Sequence, residues 1–385
     1  MNKIKLYEVC DILNGYAFKS TNYVASGIRV IRITNVQNGC IEDKDPQFYP
    51  LSYEKEIQKY ILKENDILIS LTGNVGRVAL LDKMYLPAAL NQRVACLRLK
   101  NDIIYKSFLF HFLNSDLFEN KCISNSKGIA QLNLSTEWLK NYEIPLYEFK
   151  QQIEIANKFD VLSKLIDNRK LQLIKLEELV KSRFIEMFGT YPLNSKGWNT
   201  CKIRDVVEDV RYGSSRPAVI GGKYPYLRMN NITYDGELDL TDIKYIDIPE
   251  SELDKCAVRN GDVLFNRTNS RELVGKTCVY TNDEIMVLAG FIIRIRVNEL
   301  VLSEFLSSFL NTDFSKQMLF NMCKTAIGQA NINAQELQNI EIYLPPIKLQ
   351  QEFVQFKKQI DKSKFECSIC LNLLKSFNFY NHFQS

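Results

Sequence analysis

Histidine is almost missing from this chain: its 385 residues include only His111 and His382. Imidazole-based general-base chemistry and His-rich metal sites therefore have little to draw on. Ten cysteines are scattered singly except for Cys367-Ser-Ile-Cys370. No second CxxC or His pair accompanies that pair to complete a zinc site, so both thiols are expected to face a core from one helix, with no metal bound. No window reaches the ~18 apolar residues of a membrane span, and the opening MNKIKLYEVCDIL lacks a signal-peptide run. A cytoplasmic protein without disulfides is expected. Charge of one sign is also scarce. Lys plus Arg number 49 against 45 acidic residues, a formal +4, so any nucleic-acid contact must come from local patches.

Catalytic signatures are missing too. A DNA amino-methyltransferase needs a polar residue ahead of Pro-Pro and an aromatic after it, whereas Leu344-Pro-Pro-Ile347 has neither. Val274-Gly-Lys-Thr277 resembles the tail of a phosphate-binding loop, but the first glycine of that motif falls on Ser270 and a strand-like run follows. The chain is not expected to be an enzyme by itself.

What is present is a repeat. Phe110-His-Phe-Leu-Asn-Ser-Asp116 returns as Ser307-Ser-Phe-Leu-Asn-Thr-Asp313, and the landmarks around it keep their order. Val30-Ile-Arg-Ile-Thr-Asn-Val36 parallels Tyr226-Leu-Arg-Met-Asn-Asn-Ile232, and Lys63-Glu-Asn-Asp-Ile-Leu68 parallels Arg259-Asn-Gly-Asp-Val-Leu264, a turn and buried strand. A polar loop follows each, Ser70–Arg77 and the three-residue-longer Asn266–Lys276. Gly128 to Leu134 matches Gly328 to Ile332, Ile144-Pro-Leu146 matches Leu344-Pro-Pro346, and Gln151-Gln152 and Gln350-Gln351 each open a helical stretch. A unit this long is a duplicated domain, since solenoid repeats run roughly 20–50 residues.

In the helical stretches apolar residues recur at alternating steps of three and four. The first has Ile155, Phe159, Leu162, Ile166, Leu173, Leu176, Val180 and Met187, with Arg169 as an interruption; the second has Phe353, Phe356, Ile360, Cys367, Cys370, Leu374 and Phe377. This is a coiled-coil seam. Neither seam can bury itself, so the two are expected to pair antiparallel; the alternative is that each helix packs on its own domain. The expected fold is α+β: two similar mixed α/β domains, 1–150 and 191–346, with helical spacers at 151–190 and 347–385, related as a pseudo-twofold internal repeat.

Over nearly its whole length this pattern resembles the specificity subunits of type I restriction-modification enzymes. The resemblance rests on the duplicated order of the landmarks above, including Leu6-Tyr-Glu-Val-Cys-Asp-Ile12 beside Ile203-Arg-Asp-Val-Val-Glu-Asp209. It implies that each domain is a target recognition domain reading half of a bipartite, asymmetric DNA site. The helices then act as a ruler and dock methyltransferase subunits, two per chain. S-adenosylmethionine, ATP and Mg belong to partner subunits, with restriction and translocation subunits joining through the complex. A two-headed protein-interaction scaffold, or the specificity subunit of a related bipartite-site system, fits the same repeat.

Base edges are read by Arg, Asn and Gln, less selectively by Ser and Thr. In the first domain the candidates for DNA contact are Arg32, Asn35, Thr72, Asn74, Arg77, Asn91, Gln92, Arg93, Gln131 and Asn133. In the second they are Arg228, Asn231, Arg267, Thr268, Asn269, Ser270, Arg271, Lys276, Gln329 and Asn331. Lys223, Tyr224 and Tyr226 near Arg211, Tyr212 and Arg216 form a further basic and aromatic group, for which solvated surface is the first expectation and lining the same face the second. Arg32 and Arg228, like Asn133 and Asn331, recur in two domains that should read different sequences, so holding the scaffold or a phosphate is an equal expectation for them. The unequal loop at Arg267–Arg271 is where different specificity should lie.

Overall fold

The computed structural model describes residues 2–128, 131–326 and 329–376. Phe377, placed in the second seam, and His382 lie outside the described residues. The chain divides into two compact units, residues 1–170 with 369–385, and residues 171–368.

The first unit runs β1 (Asn2–Lys5), α1 (Leu6–Val9), β2 (Cys10–Asn14), β3 (Ile28–Ile31), β4 (Phe48–Tyr49), α2 (Glu54–Ile57), β5 (Ile67–Ser70), β6 (Val78–Leu80), β7 (Ala88–Leu90), β8 (Val94–Leu99), α3 (Lys106–Leu113), α4 (Asp116–Ser124), α5 (Thr136–Asn141), β9 (Glu143–Leu146) and the start of α6 (Phe149–Phe188). The second completes α6 and continues β10 (Asn199–Lys202), β11 (Val207–Tyr212), β12 (Tyr224–Leu227), β13 (Lys244–Ile246), α7 (Glu250–Cys256), β14 (Ala257–Val258), β15 (Val263–Asn266), β16 (Thr268–Asn269), β17 (Thr277–Val279), β18 (Met286–Leu288), β19 (Ile292–Val297), α8 (Ser303–Leu310), α9 (Asp313–Met322), β20 (Lys324–Ala326), β21 (Gln329–Asn331), α10 (Ala334–Gln338), β22 (Glu341–Leu344) and α11 (Ile347–Ser376), whose last turns return to the first unit.

Each unit has three layers around one antiparallel sheet, ordered β2-β8-β5-β6 in the first and β11-β19-β15-β17 in the second. Strand residues alternate between two faces, and both faces of β5 and β15 are buried. Ile67 and Ile69 point with Leu97 to the helices, against Phe108, Leu109 and Phe112, while Leu68 and Cys96 point to Ile31 and Leu90 of a smaller sheet. In the second unit Val263 and Phe265 meet Phe305 and Phe309, and Leu264 meets Leu227 and Leu288. The smaller sheets contain the parallel pairs β3–β7 and β12–β18. The start of each domain closes on its end, β1 with β9 and β10 with β22.

One fully buried glutamine fastens each long helix to its domain. Gln152 accepts from the Tyr105 N–H at 2.7 Å and donates to the carbonyls of Ile103 and Tyr147; Gln350 accepts from the Leu302 N–H at 2.9 Å and donates to the carbonyls of Leu300 and Pro345. His111 Nε2 lies 2.6 Å from Asp160 Oδ1, a further tie between α3 and α6.

Within the second unit α6 and α11 run antiparallel. Phe184 meets Phe353 with ring centroids 5.2 Å apart, Arg183 covers the Phe356 ring, Glu177 pairs with Lys364 at 3.5 Å, and Gln172 reaches Cys367. Residue numbers fall on one helix as they rise on the other. Along the seam Leu173, Leu176, Val180, Phe356 and Ile360 are half-buried and Phe353 and Cys367 fully so. In the first unit Ile155 is buried, Phe159, Leu162 and Ile166 are half-buried, as is Leu374 on α11, and Ile155 and Phe159 pack on the domain core. Packing on the own domain therefore describes the first turns of each helix, and helix-on-helix pairing describes residues 172–184 with 353–367. Phe184 and Phe188 are more deeply buried than the half-buried seam residues and join the second domain's core. Gly189, at φ 83°, ends α6 with its N–H on the Ile185 carbonyl.

Candidate nucleic-acid interface

Backbone hydrogen bonds tie the polar loops of the first domain into one array. Tyr16 N–H donates to Leu90 O and Gln92 N–H to Tyr16 O; Leu71 N–H donates to Arg93 O, Leu134 N–H to Leu71 O, and Gly73 N–H to Leu132 O. The glycine ahead of this array is required by close approach, because a Cβ on Gly15 would sit 2.2 Å from the Asn91 backbone and one on Gly213 2.3 Å from Ala289 O. The array brings together Asn74, Gln92, Arg93, Gln131 and Asn133, all exposed, with Asn91 half-buried. Thr72 is buried and donates through Oγ1 to Asn133 Oδ1 at 2.9 Å. Arg77 is half-buried and bonds Gln37.

The second domain repeats the array on the same scaffold. Ser214 N–H donates to Leu288 O, Gly290 N–H to Ser214 O, Arg267 N–H to Phe291 O, and Ile332 N–H to Arg267 O. Here Thr268–Asn269 also forms a three-stranded ladder with β21 and β20, where the described residues of the first domain form the isolated bridges Thr72 to Asn133 and Lys127 to Asn133. The Arg267 guanidinium lies 4.8 Å over the Tyr212 ring and donates through Nη2 to Asn331 Oδ1 at 3.1 Å, and Asn331 Nδ2 donates to Thr268 Oγ1 at 3.0 Å. Ser270, Arg271 and Gln329 are exposed; Asn269 is half-buried. Arg271 stacks on Phe320 at 4.2 Å and donates to its carbonyl.

Five candidates are held by framework bonds. Asn35 and Asn231 are buried; each accepts from the N–H three residues earlier, on Arg32 or Arg228, and donates onward, to Glu42 O and Asp43 or to Asp239 O. These amides are consumed as turn caps. Arg32 donates to Asp45 O at 2.6 Å and Arg228 to Asp242 O at 2.9 Å. Lys276, also buried, donates to Met229 O at 2.8 Å, and burial holds its ammonium below the usual lysine range. Next to it Lys316, absent from the sequence-based set, lies against the Tyr234 ring; burial pushes it down to about 8.

Matching backbone bonds pair residue with residue between the domains, and the pairing exposes a position that residue type alone conceals. Leu71 and Arg93 share a backbone hydrogen bond in the first domain; Arg267 and Phe291 share the same bond in the second. The arginine and the apolar residue have exchanged places. Phe291 lies outside the sequence-based set, which was drawn from polar base-reading types; the run Leu288-Ala-Gly-Phe291 beside Leu90-Asn-Gln-Arg93 is the signal in the sequence that marks the matched position.

Two copies of one layered domain, each presenting a loop-borne polar array and each continued by a long helix, define a duplicated recognition protein. The family described as the type I restriction modification DNA specificity domain matches residues 1–178 and again 195–368, and this chain belongs to it. It is 26% identical over 377 residues to the EcoKI specificity subunit of Escherichia coli K12, covering 91% of this chain and 80% of that one. It is 27% identical over 374 residues to the StySPI specificity subunit of Salmonella potsdam, with the same coverage. The type I system S subunit from M. genitalium shares the fold, with a TM-score of 0.54 at 15% identity over 97% of this chain and 93% of that one.

Proposed function

We propose that this chain is the non-catalytic, sequence-specific DNA-binding subunit of a type I restriction-modification enzyme, each domain reading one half of a bipartite, asymmetric site. The observation that carries the reading is the repeated array: one scaffold, present twice, displays different side chains at matched positions. That is what two readers of different half-sites require, because scaffold residues position while loop side chains specify. A protein-binding scaffold has no need for Asn, Gln and Arg at the exposed positions of the array.

The helices α6 and α11 serve as the spacer that leaves the base pairs between half-sites unread, and as the docking surface for methyltransferase subunits, two per chain. Those partners bind S-adenosylmethionine and methylate adenine; restriction and translocation subunits add ATP- and Mg-dependent chemistry through the complex, in the cytoplasm. This chain contributes orientation and specificity. Phosphate contacts by exposed basic residues make binding salt-dependent, with affinity falling as salt rises.

Co-expression with the partner methyltransferase, followed by mapping of methylated adenines across host DNA, tests this. Two short specified runs separated by an unspecified gap of constant length are expected. Continuous sites without a gap, or methylation scattered without sequence preference, contradict the reading.

A further inference from the structure

The exchange of arginine and apolar residue between the two arrays has a chemical consequence at Phe291. The turn between β18 and β19 is fixed by backbone bonds on both sides: Ala289 N–H to Leu227 O at 2.9 Å, Gly290 N–H to Ser214 O at 2.7 Å, and Arg267 N–H to Phe291 O at 2.9 Å. Ile292, the next residue, is fully buried, while Phe291 is 49% exposed. The ring therefore projects from a hydrogen-bonded turn whose Phe291 carbonyl accepts from Arg267, the residue that stacks on Tyr212.

The matched turn of the first domain offers Asn91, Gln92 and Arg93, all able to bond a base edge. In the second domain Ala289, Gly290 and Phe291 offer no side-chain donor or acceptor. At this point the second domain can discriminate only by apolar contact. In the major groove thymine alone among the four bases presents a methyl group, and an aromatic or aliphatic side chain is its complement.

We infer that Phe291 is a specificity-determining residue of the second domain and that its ring packs against the 5-methyl group of a thymine in the second half-site. This rests on the DNA-reading function proposed above. The neighbouring Arg267, already stacked and held by Asn331, orients the same patch for hydrogen bonding to an adjacent base.

The test uses the assembled complex of this chain with its methyltransferase partner. Once the half-sites are mapped, each thymine of the second half-site, on either strand, is replaced in turn by deoxyuridine, which removes only the methyl group. For the unaltered chain, one such duplex is expected to bind about fourfold more weakly, the effect of one lost methyl contact. With Phe291→Ala that difference disappears, because the two duplexes bind alike, whereas Phe291→Leu keeps part of it. Unchanged reading of the first half-site by both variants confirms that the complex still folds and assembles. The inference is overturned if every deoxyuridine duplex binds like its parent, if Phe291→Ala keeps the discrimination, or if the second half-site holds no thymine; insensitivity to deoxyuridine together with a bent duplex would identify the ring as a wedge between base steps. Absence of any gapped site in the mapping of the unaltered complex would instead overturn the underlying proposal.

Discussion

Gln152 and Gln350 do the same work in the two domains, each spending its amide on three backbone groups that have no helix or strand partner. Truncating either leaves buried donors and acceptors unpaired, at about 1–3 kcal/mol for each group. Gln350→Ala is accordingly expected to lower unfolding stability by about 3 kcal/mol, read from the urea midpoint, while Gln351→Ala, on an exposed position, leaves the midpoint in place. A second effect at this scale concerns thiols. Burial pushes Cys10 and Cys278 up to about 12, with Lys100 and Lys276 respectively pulling slightly the other way. In the unfolded chain these thiols ionise near 8.5. The folded state then holds protons that the unfolded state releases, so their contribution is complete below that pH and is lost as pH rises toward 12. Urea titrations at pH 8 and pH 10 should show stability falling with pH, and Cys278→Ala should reduce the slope. The glutamine pairs stood out in the sequence as openers of the helices, but their fastening role did not, because it depends on carbonyls nearly fifty residues away. Asn35 and Asn231 show the converse: a base-reading asparagine and a turn-capping one are the same letter, and only the bonds decide.

At the scale of elements, the seam residues Leu173, Leu176, Val180, Phe353, Phe356 and Ile360 were legible because helical spacing repeats every three or four residues whatever the partner. Phe184 extends that series and is only 2% exposed, touching both Phe353 and Phe305. Its truncation removes a ring from a junction shared by helix pair and domain core, and Phe184→Ala is expected to cost about 4 kcal/mol by thermal or urea unfolding. An equal change at Ile185, exposed on the same helix, should cost under 1 kcal/mol, as surface substitutions do. The sheets were less legible. Strands such as Ile67–Ser70 were evident from their apolar runs, but the parallel pairs β3–β7 and β12–β18 join segments about sixty residues apart, and no local pattern specifies them. Loop length was readable directly: the longer Asn266–Lys276 connection supplies β16, whose counterpart among the described residues of the first domain is the isolated bridge from Thr72 to Asn133.

For the whole molecule the duplication was the strongest signal, since repeated order survives even where single motifs are weak. Two family matches, a matched sheet order and matched arginine–aspartate pairs built on a buried aspartate, Arg98 with Asp66 and Arg296 with Asp262, all express one domain encoded twice. Each copy keeps its scaffold and varies its loops, so specificity should be separable by domain. The exchange of residues 1–150 for the first domain of another family member, followed by methylation mapping with the same methyltransferase partner, tests this most directly. One half-site is predicted to change while the other half and the gap are retained. Change in both halves, or in neither, would contradict two independent readers on one chain.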